Sequence, residues 1–399
     1  AISLFSDGLG EIDDMKTVAV IFGGRSAEHD VSIITAHTPI IASLQASGQF
    51  DVVPIYIAKN GSWYSDTAMN DLGFFKQPAF EEIMSKQKKI RLLFDDGLTI
   101  IWPGMRDKTL RVDVVFPAMH GTFGEDGSLM GLLRMAGVPF VGCDMAASAV
   151  AMDKAFTKQI LTAEHIPVVP FVWFGRSEWE DHRDEARFSI LTLTWPLFVK
   201  PVHLGSSIAI AKIKTETQLE HAIEVAFHYD EKVLVEESVE NLTEVTLPII
   251  GNDTLEFGAI ERPLNKTEFF NFSDKYLSGN KTGQGVKSLY SEIPAHISEE
   301  FAKKVRDLGR RVYHALGCAG IARIDFLIDN DTQKIYVNEV NTLPGSLYHH
   351  NWKQTGKSGV ELVTKLVALA EERFQTHRDT IYTFRSDILK HAGGQKMAE

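Results

Sequence analysis

Cysteine is nearly absent from this chain. Cys143 and Cys318 are the two in 399 residues, far apart and in no CxxC or zinc-like spacing. A disulfide framework and a cysteine metal site are therefore excluded, and both positions read as small buried hydrophobes. Such sparse use suits a reducing cytosol, so a cytoplasmic location is expected. No apolar run approaches the roughly 18 residues of a membrane span, and no membrane partner is expected. A basic excess is missing too: 41 Lys and Arg stand against 53 Asp and Glu, a net charge of -12. That argues against nucleic acid as a partner, while leaving room for local basic pockets that hold phosphates. Two nucleotide fingerprints are also lacking. No GxGxxG follows the Gly23-Gly24 turn, and no lysine directly follows the glycine of Gly205-Ser206-Ser207, so neither a dinucleotide loop nor a Walker A motif is present. The acidic stretch Ala1 to Asp14 has no basic n-region. It is not read as a signal peptide and is set aside as an extension.

What is present is an ordinary globular composition, 44% hydrophobic and 24% charged, at a length that suggests two or three domains. The run Thr17 to Phe22, the Gly23-Gly24 turn and the periodic segment Ile33 to Leu44 read as strand, turn and helix, with Ser26 or Ser32 able to cap. A second strand follows at Asp51 to Ile57, where Pro54 predicts an edge position or a bulge. A hairpin is expected from Ile90 to Trp102 and a third buried strand from Val112 to Met119. That strand leads into the glycine-rich acidic loop His120 to Gly127, then a helix from Ser128 to Ala136. Loops at the carboxyl ends of parallel strands are where α/β folds place ligands. His120 is read there as a ligand contact or as a residue that orders the loop. One helix is expected from Ala147 through Met152-Asp153-Lys154 to Leu161.

Further along, Trp195 to Pro201 and Val202 to Ile210 read as two strands joined by a Gly-Ser loop, with Lys200 near the end of the first. Such a loop either closes over phosphates or is a plain hairpin with a snorkelling lysine. A long polar stretch from Asn265 to Ser291, carrying Lys275-Tyr276, reads as a lid or a disordered segment. An amphipathic helix, Ser298 to Leu316, precedes two acidic strand-like runs, and a helix from Gly359 to Phe374 closes the last domain. Strand alternation places Arg323 and Asp325 on one face of the first run. In the second it groups Val337, Glu339 and Asn341 on one face, with Tyr336, Asn338 and Val340 on the other. If the runs are neighbours, Asp325, Glu339 and Asn341 present hard oxygen ligands for Mg²⁺, with Arg323 beside them for a phosphate. The alternative is a solvated strand edge.

Taken in order, these motifs resemble the ATP-grasp superfamily, most closely the D-alanine–D-alanine ligases, from about Lys16 to Phe374. The resemblance is carried by Gly23 to Ser32, His120 to Gly127, Met152-Asp153-Lys154, Phe198 to Pro201 with Gly205-Ser206-Ser207, Lys275-Tyr276, Arg323-Ile324-Asp325 and Asn338 to Gly345. It implies an α/β, three-domain ATP-grasp fold with an N-terminal Rossmann-like domain. The corresponding limits are residues 15–142, 143–235 and 236–375, with 376–399 an appended tail. It implies ATP-dependent joining of two amino acids through an acyl phosphate, two Mg²⁺ or Mn²⁺ ions, amino-acid substrates and a homodimer.

By the same resemblance, Asp325, Glu339 and Asn341 hold the metals. Lys154 and Lys200 bind phosphates, Ser206 and Ser207 close over them, and Lys275 serves from the lid. Glu236, Glu237 and Val239 form the adenine hinge and Glu244 takes the ribose. Arg323 and the Gly345 N–H stabilise the acyl phosphate and the oxyanion. Glu28 binds the first substrate's ammonium near His120, and Glu28, Ser206 and Tyr276 form a triad that locks the lid. After Gly345 the sequence departs from the family: the segment Ser346 to Trp352 is shorter, with Ser346 in place of the usual acceptor-binding serine. His349, His350 and Trp352 are expected to line an altered second-substrate pocket, with a surface or packing role as the alternative for the two histidines. Other readings are a ligase with a different amine acceptor and an ATP-binding regulatory protein without catalysis.

Overall fold

The computed structural model describes residues 15–205, 208–264, 291–378, 380–386 and 388. The first sheet is built on β1 (Lys16–Gly23), whose residues from Val18 to Phe22 are all buried. Both faces are covered. Val18, Val20 and Phe22 pack into one core, and Ala19 and Ile21 into another. A strand covered on two sides is uniformly apolar, which is the signature of a parallel α/β sheet. Its neighbours are β2 (Phe50–Ile57) and, beyond the antiparallel pair β4 (Arg91–Phe94) and β5 (Leu98–Trp102) with β6 (Lys108–Val112), the strand β7 (Val114–Pro117). The order is β3-β2-β1-β7, with β1 parallel to both β2 and β7. The short β3 (Trp63–Tyr64) pairs only Tyr56 and Ile57 of β2, so Pro54 lies beyond it on an open edge, where its missing N–H costs nothing.

Neither Ser26 nor Ser32 caps the helix His29–Thr35; Glu28 occupies that position. Ser26 instead accepts the Glu28 N–H at 3.0 Å. Ser32 accepts the Gly23 N–H and donates to the Ala118 carbonyl, both at 2.8 Å, and so ties the ends of β1 and β7 together.

The middle of the chain makes an antiparallel sheet, β10-β9-β11-β8. Its strands are β8 (Phe171–Gly175), β9 (Leu197–Pro201), β10 (Ala211–Ile213) and β11 (Lys232–Glu237). The helix expected across Met152-Asp153-Lys154 is two helices, Met145–Met152 and Lys154–Ala163. Asp153 breaks it by leaving helical geometry and accepting the Phe156 N–H at 2.8 Å, the N-cap bond of the second helix.

Residues 238–241 cross from β11 to the third sheet. That sheet runs β13-β12-β16-β17, from β12 (Leu242–Gly251), β13 (Leu255–Phe257), β16 (Gly320–Asp329) and β17 (Ile335–Asn341). Between them lie the short β14 (Arg262–Pro263) and β15 (Ser291–Glu292). The helix Glu299–Ala315 covers this sheet's apolar face and is capped by Ser298, which accepts the Phe301 N–H. The final helix, Gly359–Arg378, does more than close the last domain. Its Val363, Leu366 and Val367 share one core with Val18, Val20 and Phe22 of β1. Among the described residues no helix is long and apolar enough to cross a membrane.

Candidate active site

Strands β16 and β17 are antiparallel neighbours, with Arg323 opposite Asn341 and Asp325 opposite Glu339. The alternation expected from the sequence fails at one point. Asp325 pairs with Glu339 and Phe326 with Val337, which leaves Asn338 without a partner, a β-bulge. The extra residue reverses the parity. Val337 and Val340 are both buried, in the same core as Ile324 and Phe326. Val337 therefore does not share a face with Glu339 and Asn341. The bulge lets one strand keep its apolar residues inward while turning Glu339 and Asn341 to the face that carries Arg323 and Asp325.

On that face Arg323 makes a two-pronged contact with Asp325, at 2.8 Å from Nε and 2.6 Å from Nη2, and Nη2 is 3.4 Å from Glu339. Burial pushes the Asp325 carboxyl above the ordinary carboxylate range, Arg323 opposes this, and the adjacent Glu339 adds to it. Two carboxylates share one guanidinium, and the Asn341 amide donates to Asp325 Oδ2 at 3.5 Å. With both carboxylates ionised the set carries more negative charge than its arginine neutralises, and its oxygen donors fit a hard divalent cation. It contains no third acidic or imidazole ligand; among the described residues no group of three or more His, Cys, Asp or Glu is arranged for a metal.

The basic side of the site comes from the middle sheet. Lys154 is the first residue of its helix and donates to the Leu204 carbonyl at 2.7 Å. Burial lowers its pKa, as does Lys200, while Glu339 and Glu236 oppose the shift; Lys154 thus feels the charge of the acidic face. One turn on, Lys158 was missed in the sequence, although its spacing of four from Lys154 puts both on one helix face. It is 2% exposed and sits 2.9 Å from Glu236, which also binds Lys200. Burial alone would raise the Glu236 pKa, but the two lysines outweigh it and hold the carboxyl at about 2. The side chain expected at the adenine hinge is thus an internal counter-ion between two lysines. Glu237 accepts the Thr194 N–H at 2.9 Å, Val239 lies half-buried in the crossover, and Glu244 on β12 is close enough to raise the Asp325 pKa.

The first sheet supplies the third side. His120 is buried, 3.0 Å from the Thr35 hydroxyl and 3.4 Å from Glu125. It also faces the Pro-Gly turn: a Cβ on Gly345 would stand 3.4 Å from the imidazole Cε1. Gly121 has φ +67°, and a Cβ there would stand 2.7 Å from the Ser26 hydroxyl and 3.0 Å from Glu28 Oε2. Glycine lets the loop approach Glu28 this closely. Ser206, Ser207, Lys275 and Tyr276 lie outside the described residues.

The segment after Gly345 is unusual. Ser346, Leu347 and Tyr348 have φ of 52°, 50° and 51°, three successive left-handed residues without a glycine. Left-handed backbone costs roughly 1–2 kcal/mol per residue for such side chains. Contacts of Leu347 and Tyr348 help to hold the turn. Leu347 is 1% exposed in the core that includes β1, and the Tyr348 hydroxyl accepts from Arg323 Nη1 at 3.0 Å, its ring 5.1 Å from the guanidinium. Burial raises the Tyr348 pKa further above its usual value, so the phenol stays neutral. His350 pairs with Glu261 at 3.2 Å, and His349 is exposed. Trp352 is 1% exposed and packs in the hydrophobic core with β1 and the final helix.

Two family models cover the chain: "D-ala D-ala ligase N-terminus" over residues 17–143 and "D-ala D-ala ligase C-terminus" over residues 160–368. The chain belongs to the D-alanine–D-alanine ligase family. Family membership brings ATP use, the ATP-grasp fold and the N-terminal α/β domain with it. A D-alanine–D-alanine ligase of Natranaerobius thermophilus is 37% identical over 369 residues, covering 90% of this chain and 95% of the relative. That of Macrococcus caseolyticus is 35% identical, covering 92% and 98%. Among solved structures, the VanG D-Ala:D-Ser ligase of Enterococcus faecalis superposes with a TM-score of 0.73 at 34% identity, covering 89% of this chain and 99% of that one. The D-alanine–D-alanine ligase of Coxiella burnetii gives 0.74 at 28% identity, covering 92% and 96%.

Proposed function

We propose that this chain joins D-alanine to D-alanine, converting ATP to ADP and phosphate, as a step in building peptidoglycan precursors. One carboxylate oxygen of the first amino acid attacks the γ-phosphorus, and the β–γ bridging oxygen leaves with ADP. The amine of the second then attacks the acyl carbon, loses a proton, and phosphate departs with the original carboxylate oxygen. Both steps move negative charge without redox chemistry, so positioning and charge neutralisation do most of the work.

In this reading Arg323 neutralises the transferring phosphoryl group, and the Gly345 N–H donates to the oxyanion of the tetrahedral intermediate. Lys154 and Lys200 hold phosphates. Glu28 takes the first substrate's ammonium beside His120, and Ser346 the second substrate's carboxylate. Glu237 and Val239 flank the adenine with their backbone, and Glu244 takes the ribose. Asp325, Glu339 and Asn341 would hold Mg²⁺ or Mn²⁺, which when bound offsets phosphate charge. The observation that carries the reading is the convergence of Arg323, Asp325 and Glu339 on the third sheet with Lys154, whose ammonium feels the charge of Glu339. A division near residues 143 and 236, a homodimer and a cytoplasmic location belong to the same proposal.

A second reading keeps D-alanine as donor and changes the acceptor. It is favoured by the left-handed turn after Gly345 and by the likeness to a D-Ala:D-Ser ligase. Phosphate release with D-alanine alone, D-serine alone and both together, with products read by mass spectrometry, separates the two. D-alanyl-D-alanine from D-alanine alone supports the first reading. Turnover only when D-serine is added supports the second, and no dipeptide under any condition refutes both.

A further inference from the structure

Residues 153–154 and 202–204 are joined at three successive points. His203 Nε2 lies 3.2 Å from Asp153 Oδ2, the Lys154 N–H points at the Val202 carbonyl at 3.4 Å, and the Lys154 ammonium donates to the Leu204 carbonyl at 2.7 Å. His203 is the centre of this seam. Its other ring nitrogen, Nδ1, is 2.9 Å from Asp230 Oδ1, and its backbone N–H donates to Asp230 Oδ2 at 2.7 Å. Asp153 is itself committed: Oδ1 caps the Lys154–Ala163 helix and Oδ2 also receives Lys232 Nζ at 2.8 Å. Lys232 lies over the Phe156 ring, 3.9 Å from its centroid. Two carboxylates facing one imidazole need two N–H donors, which only the protonated ring has. Asp153, Asp230, His203 and Lys232 then sum to zero charge.

We propose that His203, as an imidazolium clamped between Asp153 and Asp230, is a positioning residue that holds Lys154 in place for the nucleotide's phosphates. The proposal rests on the reading of Lys154 given above. The two aspartates raise the His203 pKa to about 9 against the opposing effect of burial. The groups facing it are Asp153, Asp230 and Lys232, with Lys154 one residue beyond. The clamp is therefore closed at neutral pH. Its contribution to stability is fully present below the ordinary histidine pKa of about 6.5 and is lost as pH rises through about 9.

The test is the KM for ATP of the full chain with Mg²⁺ and D-alanine from pH 7 to 9.5, for wild type, His203→Ala, His203→Gln, His203→Arg and Lys154→Met. His203→Ala should raise the KM for ATP about tenfold at pH 7.5, the size of one charge-assisted hydrogen bond. The KM for D-alanine should stay within about twofold of wild type, since this seam lies on the phosphate side. Wild type should hold its KM for ATP to about pH 8 and lose affinity with a midpoint near 9. His203→Arg, which keeps a permanent charge, should recover affinity and flatten the rise. If His203→Ala does not fold, His203→Gln and the wild-type pH profile carry the test. An unchanged KM in folded His203 variants, with Lys154→Met impaired, overturns the proposal. So does an alkaline rise that persists in His203→Arg. A normal KM in Lys154→Met overturns the assignment of Lys154 instead.

Discussion

The two sides assigned in the proposed function to the phosphates and to the acceptor are built in opposite ways. Arg323, Asp325, Lys154 and Lys200 sit on regular strands and at a helix start, with favourable backbone and short ionic contacts. Ser346, Leu347 and Tyr348 form a left-handed turn that none of the three favours, kept in place by a buried leucine and by Arg323 itself. Strain of this kind persists only where surrounding contacts determine it. In the proposed function the regular half activates the donor carboxylate and the strained half chooses the acceptor. Tyr348 joins them, because the arginine assigned to the phosphoryl group is also the arginine that holds the turn.

The comparison breaks first at the acidic face. Glu339→Gln should lower turnover by about a thousandfold, at the upper end for loss of one electrostatic group, while circular dichroism stays native. Near-normal activity would mean that the face does no chemistry. Next in size is the internal counter-ion. Glu236→Gln leaves Lys158 and Lys200 without their carboxylate and should cost about 3–5 kcal/mol of stability, read by denaturant unfolding. The pH dependence follows from the lowered pKa. Glu236 stabilises the fold fully above the unfolded carboxyl pKa of about 4.3, and that stability fades as pH falls toward about 2. The variant should lose this acid sensitivity; a variant as stable as wild type at pH 7 would make the ion pairs incidental.

The acceptor half responds more mildly. Tyr348→Phe keeps the ring over Arg323 and removes the hydroxyl, so kcat/KM for the second amino acid should fall about tenfold, with ATP affinity unaffected. Equal losses for ATP and acceptor would place Tyr348 with the regular half. The smallest effect expected is on stability. Ser346→Gly should stabilise the chain by up to about 1 kcal/mol, because glycine adopts φ 52° without strain. A destabilised variant would show that the turn is not left-handed in solution.

Legibility in the sequence follows the same division. β1, β11 and the Ser298-capped helix were readable because apolar periodicity and a local cap decide them. Arg323, Asp325, Glu339 and Asn341 were readable as charged and amide groups on adjacent strands. The parity of β17 was not, since a bulge at Asn338 depends on which residues the partner strand offers. Asp153 was hidden inside an apparently continuous helix because a cap within a helical pattern looks like one more polar position. Lys158, His203 and Tyr348 took their roles from partners 25 to 78 residues away or from a strained backbone, neither of which has a local signature. Trp352 was misjudged for a similar reason: an aromatic beside two histidines resembles a pocket wall until the helix buries it.

In the proposed reaction one carboxylate is activated by phosphorylation before the amine arrives. Turnover of D-alanine labelled with ¹⁸O in its carboxyl group tests this directly, with released phosphate analysed by mass spectrometry. Each phosphate should carry one oxygen from the labelled carboxylate. Dipeptide formed alongside wholly unlabelled phosphate would contradict the acyl phosphate and, with it, the roles given to Arg323 and the face around it.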